Sequence, residues 1–369
     1  MTTAEAYAVS LARLPAVGPA RLRALLESGP VDRVWEAVRT GAIDPACVVR
    51  PPRTGARSVV EGWRIAAASI DPATYWKAHV DAGIGVAVRG SPAYPPALVD
   101  DDDPPAILFW RGDIDALAGA RVAIVGTRRA TRYGIDVANS LASELSLAGV
   151  AVVSGLALGI DGAAHAGSIS VDGAPPIAVV GCGLDTVYPR ANRALWSKVV
   201  ERGVIVSEYP LGAPAVAWQF PARNRIIAAL ADVVVVVESQ ATGGALGTAV
   251  EAARRGRPVF AVPGPVTAPS SVGTNQLLHD GCAPARDALD VLVALGREPG
   301  ARRAATERRP APVGDAATVL GALPWQVVAV EHLVIATGLA LGEVVLALDA
   351  LERDGWIVQR AGWIERVAR

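Results

Sequence analysis

Positions 233–237 are five consecutive valines. β-Branched residues favour strands, and a strand that is apolar at every position has no face to give to water. It needs cover on both sides, as in a parallel sheet sandwiched between helices. Comparable runs stand at 122–125, 150–153, 177–180, 204–206 and 259–262, with helical apolar spacing between them. The chain is therefore read as α/β, with strand–helix units wound into a parallel sheet. In such sheets ligands lie off the strand carboxyl ends, where helices begin.

The opening unit, 121–165, carries the first polar rim. Its turn reads VGTRRATRYG, with Gly126, Thr127, Arg128, Arg129, Arg132 and Gly134. A dinucleotide site needs a middle glycine for the pyrophosphate, and arginines stand there instead, so NAD or FAD is excluded. Crowded guanidinium groups beside a helix start favour phosphate. Only Lys77 and Lys198 are lysines among 35 basic residues, so contacts to phosphate are forked. The second turn, SGLALGIDGAAH, offers Ser154, Asp161 and His165. No G-x-S-x-G elbow surrounds the serine, so Asp161 is read as a helix N-cap with His165 packed one turn on.

Two further turns matter. The segment QFPARNRIIAAL places Phe220 before a helix start, Pro221 at its first position, then Arg223, Asn224 and Arg225. An aromatic beside forked cations suits a stacked base with a held backbone; a core phenylalanine with surface arginines is the plainer alternative. The segment TGGALGTAVEAARRGR is a glycine-rich helix start at Gly243 and Gly244, open to an anion. It is similar to the GGxGTxxE signature of lysine-decarboxylase-like proteins, in which a glutamate acts on a nucleoside monophosphate. One extra residue separates Gly244 from Gly247, which puts Glu251 out of register.

The flanks look different. Residues 1–70 read as a small all-helical domain, in which LARLPAVGPARLRALL (11–26) is similar to a helix-hairpin-helix that either offers turn amides to DNA or merely packs. From 71 to 113 the pattern gives a helix at 74–82, a strand at 86–88 and an extra edge strand at 107–110. Four adjacent carboxylates at 100–103 point in different directions, so they are read as a solvated loop and not a metal site. Residues 296–311, rich in Arg, Ala, Pro and Gly, read as a linker. Beyond it, 312–369 has the order of a winged helix whose recognition helix carries Glu343, Asp349, Glu352 and Asp354, which favours a protein contact or a structural role over duplex binding. Cys47, Cys182 and Cys282 are odd in number and form no CxxC pair. With no export signal in MTTAEAY and no membrane-length apolar run, a cytoplasmic protein without membrane contact is expected. The formal charge of −1 leaves room for a basic face.

The blocks VGTRRATRYG, VVSGLALGIDGAAH, GCGLDTVYP, SEYPLG, FPARNRIIAAL, GGALGTAVEA and VPGPVTAPSSVGTNQLLHDGC, in this order, resemble the DNA-processing protein A (DprA, also called Smf) family over most of residues 71–290. The resemblance implies an extended Rossmann-like sheet with helices on both faces (71–295). The domains flanking it are a SAM-like or helix-hairpin-helix-like domain before and a winged helix after. It implies a non-enzymatic protein that binds single-stranded DNA, forms homodimers and loads RecA recombinase onto incoming strands in natural transformation or recombination. Arg128 is then the principal phosphate contact, flanked by Gly126, Thr127 and Arg129 and by Ser154 and Gly155. Phe220, Arg223, Asn224 and Arg225 line the strand's path, with Gly243 and Gly244 near it. Some members carry a lysine shortly before the phenylalanine; here Ala217, Trp218 and Gln219 stand there. No catalytic residue, cofactor or metal is assigned. The competing reading is a nucleoside-monophosphate phosphoribohydrolase of the lysine-decarboxylase-like class.

Overall fold

A computed structural model describes residues 3–44, 55–297, 309–325, 327–360 and 362–367. Cys47 and most of the expected linker lie outside the described residues. The chain forms two compact bodies, 1–298 and 299–369.

The first body opens with four helices, α1 (Ala4–Ala12), α2 (Pro19–Glu27), α3 (Val31–Thr40) and α4 (Ala56–Ala67), followed by α5 (Pro72–Asp81). Then come β1 (Gly85–Val88), α6 (Pro96–Val99), β2 (Ile107–Gly112) and the repeating units β3 (Arg121–Val125), α7 (Arg132–Leu147), β4 (Ala151–Ser154), α8 (Ile160–Ile169), β5 (Ile177–Val180) and α9 (Arg193–Arg202). The series closes with β6 (Val204–Ser207), α10 (Gln219–Leu230), β7 (Val233–Val236), α11 (Gly244–Arg254), β8 (Val259–Ala261), α12 (Val272–His279), β9 (Ala283–Pro284) and α13 (Ala288–Ala294). The strands make one sheet of nine, ordered β1-β2-β6-β5-β4-β3-β7-β8-β9. From β6 to β9 the pairing is parallel, whereas β1 and β2 join antiparallel beside β6. Strand 107–112 thus extends the sheet as expected, and β1 forms the outer edge. Because β3 lies between β4 and β7, the winding reverses there, which opens a crevice at the carboxyl ends of β3 and β7.

The five valines divide as a doubly covered strand requires. Val234 and Val236 pack with Ala123, Val125 and Val153 against α10 and α11. Val233, Val235 and Val237 pack with Val122, Ile124 and Val152 against α7, α8 and α13. The rest of that second face is covered differently. Ala178, Val180, Ile205 and Phe109 share a single core with Leu11, Leu25, Trp35, Val38 and Trp63 of the amino-terminal helices. Residues 1–70 therefore pack onto that face together with Trp196 and Val199 of the crossover helix α9.

Ion pairs reinforce that contact. The acid run is solvated only in part: Asp100 and Asp102 are exposed, but Asp103 pairs with Arg23 of α2 and with Arg225 of α10 at 2.9 Å, while Asp101 pairs with Arg255 at 2.7 Å. The 13–18 turn packs, with the Pro15 carbonyl accepting from the Trp63 indole at 2.9 Å.

The second body holds α14 (Asp315–Ala322), β10 (Val328–Ala329), α15 (Val330–Thr337), α16 (Leu341–Arg353), β11 (Ile357–Arg360) and β12 (Trp363–Arg366). Its strands pair antiparallel as β10-β12-β11. Helices α15 and α16 meet at 112° across Gly338, which adopts the left-handed conformation (φ 71°) that glycine tolerates. Its core gathers Val319, Leu333, Val344, Leu348, Ile357 and Ile364. Among the described residues no single helix is long and apolar enough to cross a membrane.

Candidate nucleic-acid interface

The crevice is built first from backbone. A Cβ on Gly126 would overlap Ile160 and the Glu238 carbonyl, so only glycine lets the turn after β3 lie this close to α8 and to the turn after β7. The Thr127 amide donates to the Glu238 carbonyl at 2.8 Å, and the Ile160 amide donates to the Thr127 carbonyl at 3.2 Å. The loop is held on both sides. Its next residues, Arg128 and Arg129, are exposed.

The start of α7 does not take the role expected of it. The Glu238 carboxylate, itself buried, accepts from the Thr131 amide at 2.9 Å and from the Thr131 hydroxyl at 2.5 Å. The Thr131 hydroxyl in turn accepts from the Gly134 amide at 3.1 Å. An internal anion thus already occupies the positive end of this helix. Any phosphate here meets the arginines and not these amides.

Arg128 sits with its guanidinium carbon 5.2 Å from the centre of the Phe220 ring. Phe220 stacks on Tyr188, with ring centres 5.1 Å apart and planes inclined by 29°. Three loops meet in this column: the turn after β3, the loop after β5 and the first turn of α10. Among the described residues Arg128 forms no ion pair, whereas Arg132 is paired with Asp136 at 2.9 Å. A cation over a ring with no carboxylate partner keeps its forked donors for an outside acceptor. Phe220 is the second residue of α10, because Gln219 and not Pro221 begins the helix. Tyr188 was missed in the sequence. Its signal was the aromatic in GCGLDTVYP, on the same rim as the other turns.

Other expected contacts are placed elsewhere. Arg223 is 3% exposed, and its guanidinium donates to the Gly155 carbonyl at 2.9 Å and to the Val179 carbonyl. It crosses Gly155 where any side chain would collide with it. Ser154 is buried and donates to the Ile124 carbonyl at 2.7 Å. Arg225 is 8% exposed and grips Glu208 with two bonds of 3.0 and 2.6 Å, beside Asp103. Gly155, Ser154, Arg223 and Arg225 therefore support the rim from within and do not line a strand's path. Asn224 donates to the Gly244 carbonyl at 3.2 Å and ties the start of α11 to α10. Gly243 is the N-cap of α11, and open space surrounds Gly244, so backbone there is accessible.

Asp161 and His165 lie beneath. Asp161 does not cap α8, since Gly159 does; its carboxylate reaches back to the Gly155 amide at 3.1 Å. Burial pushes its pKa up, opposed by Arg223 and by loop amides. His165 is fully buried, and neither ring nitrogen finds a hydrogen-bond partner. Burial pushes its pKa down to about 4, against the nearby backbone of Ser154. The imidazole is neutral and far from solvent, which is a scaffold position.

These features define an extended Rossmann-like α/β protein with a cationic and aromatic site on its strand carboxyl rim. The chain belongs to the DNA recombination-mediator protein A family, whose model matches residues 85–296. It is 40% identical over 219 residues to the DNA processing protein DprA of Bacillus subtilis, covering 59% of this chain and 73% of that one. The crystal structure of DprA from Streptococcus pneumoniae superposes with a TM-score of 0.64 at 31% identity, over 79% of this chain and 98% of that one. DNA processing protein A from Helicobacter pylori, whose structure concerns a single-stranded DNA binding mode, gives a TM-score of 0.52 at 31% identity, over 57% of this chain and 95% of that one.

Proposed function

We propose that this protein binds single-stranded DNA along the strand carboxyl rim, without catalysing a reaction, and acts in DNA processing during transformation or recombination. The observation that carries this reading is the column of Arg128, Phe220 and Tyr188. It pairs a cation that forms no ion pair among the described residues with a ring on which a base can stack, the two elements that grip a single strand without reading its sequence. A duplex keeps its base faces stacked on each other, so it binds more weakly. In this reading the protein works in the cytoplasm as a homodimer and hands its strand to RecA recombinase, a role supported by its family membership.

Losing one phosphate contact lowers affinity about tenfold and makes the slope of log affinity against log salt shallower by about 0.7. Arg128→Ala, titrated with an oligothymidylate at several salt concentrations, is expected to show both effects. Unchanged affinity, or equal affinity for single strand and duplex in the wild type, sinks the reading. The phosphoribohydrolase alternative requires an available Glu251. That carboxylate is instead paired with Arg254 at 3.0 Å and with Arg255 at 2.6 Å. Release of free base from a nucleoside monophosphate, lost in Glu251→Ala, would restore the enzyme reading.

A further inference from the structure

Beside the rim, an open cleft of about 810 Å³ lies between the α1–α2 turn and the segment from Glu208 to Gln219. That volume is within the range of sites that hold a ligand of nucleotide size. One wall is Trp218, 54% exposed, whose ring meets Tyr209 edge-on at 6.2 Å. Opposite it is Gly18, where a Cβ would come within 3.8 Å of the indole, so the hairpin turn borders the ring without covering it. Arg13, whose guanidinium lies 4.8 Å from the centre of the Tyr75 ring, and Arg21, which donates to the Ala16 carbonyl at 2.5 Å, also line the cleft from either side of that turn. Its one acid, Glu208, is held by Arg225 at 2.6 Å, and nearby Asp185 accepts from the Gly212 amide with both oxygens at 3.1 Å.

Trp218 and Phe220 stand two residues apart at the start of one helix, roughly 200° apart around its axis. Phe220 therefore faces Arg128 and Tyr188, while Trp218 faces the hairpin. No side chain caps this helix start, which leaves its positive end between the two rings. A large exposed indole in a cleft lined by two arginines, one helix start away from the aromatic column, has the chemistry of a second stacking platform.

We propose that the strand held at Phe220 continues over the start of α10 into this cleft, where Trp218 stacks a further base and Arg13 meets its phosphate. The amino-terminal helical hairpin is then part of the single-strand site. This extension rests on the single-strand reading above and has its own test.

Affinities of the full chain are measured for oligothymidylates of about six and about twenty nucleotides, short enough for one platform and long enough for both. Trp218→Ala is expected to weaken the longer strand about tenfold while leaving the shorter one unchanged, and Trp218→Phe, which keeps a ring, is expected to restore most of the loss. Arg13→Glu, at the mouth of the cleft, is expected to act on the longer strand in the same way, and it stands in if Trp218→Ala melts early. Loss of both affinities on Arg128→Ala with no effect of Trp218→Ala or Arg13→Glu overturns the extension alone. Equal weakening of both strands by Trp218→Ala overturns it too, because Trp218 would then belong to the Phe220 site. No effect of Arg128→Ala on either strand removes the underlying reading instead.

Discussion

Arg223 and Arg225 show what a single residue hides. In the sequence they stand in PARNRII and look like surface cations near Phe220, yet both guanidinium groups are inside. Nothing local distinguishes a buried arginine from an exposed one, because its partners are distant: Glu208 lies 17 residues before Arg225 and Asp103 lies 122 before it. The exposed place of Arg128 on the rim was legible for the opposite reason, since its turn follows a strand directly. Arg225→Ala leaves Glu208, 6% exposed, without its partner, and removing one member of a buried pair costs about 3–5 kcal/mol. The expected result is a much lower urea midpoint at neutral pH. His165 carries a second expectation. Its pKa of about 4 in the fold lies below the roughly 6.5 of an unfolded histidine, so below pH ~6.5 the unfolded chain takes up a proton that the fold refuses. Its contribution is complete above ~6.5 and is lost as pH falls towards 4, by about 3 kcal/mol in all. His165→Leu should flatten that part of the stability profile. A slope unchanged between pH 6.5 and 4 would assign the loss to other groups.

At the scale of elements, the strands were the most legible part, because apolar runs of four or five residues between helical spacings leave few alternatives. The short β9 was not, since two residues ending in Pro284 give no pattern to read. Tyr188 was missed because its loop carries no charge run to mark it. The start of α7 was misjudged for a physical reason: a helix start attracts whatever anion is nearest, and in this fold it is the protein's own. Glu238 follows β7, β7 lies beside β3, and the switch in winding brings the two carboxyl ends together. The strand order thus decides that α7 is satisfied internally and that Arg128 stands clear beyond it. Glu238→Ala leaves the Thr131 amide and hydroxyl without their acceptor, and a lost partner at a partly buried site costs about 1–2 kcal/mol. Chemical denaturation should show that loss, while affinity for a single strand should change much less than in Arg128→Ala. A variant that loses binding and not stability would make Glu238 part of the interface itself.

For the whole molecule, the boundary expected near residue 70 matters less than the one near 298. The helices of 1–70 share one core with the sheet: Leu11, Leu25 and Trp63 are buried together with Ala178, Val180 and Ile205, and Arg23 reaches Asp103. Amphipathic helices announce that they need an apolar surface but not which one, so the contact of these helices with the sheet was not legible in the sequence. By contrast, the residues after 299 have a complete core in Val319, Leu333, Val344, Leu348 and Ile364. Its charges balance, with eight acidic and eight basic side chains in 299–369, so its net charge does not draw it to DNA. Shortening the chain from either end should therefore have opposite results. A chain ending at 298 keeps the whole sheet, the aromatic column and the cleft, and its affinity for a single strand and its melting temperature should match those of the full protein. A chain beginning at 71 keeps α9 but loses the 1–70 side of the core shared with Ile107, Phe109, Val180 and Ile205, and burial of each such side chain is worth about 1.5–3 kcal/mol, so it should aggregate or melt at a much lower temperature. If the chain beginning at 71 instead folds cooperatively and holds the longer strand as tightly as the full protein, then the helices are an accessory and the cleft they border is not part of the path.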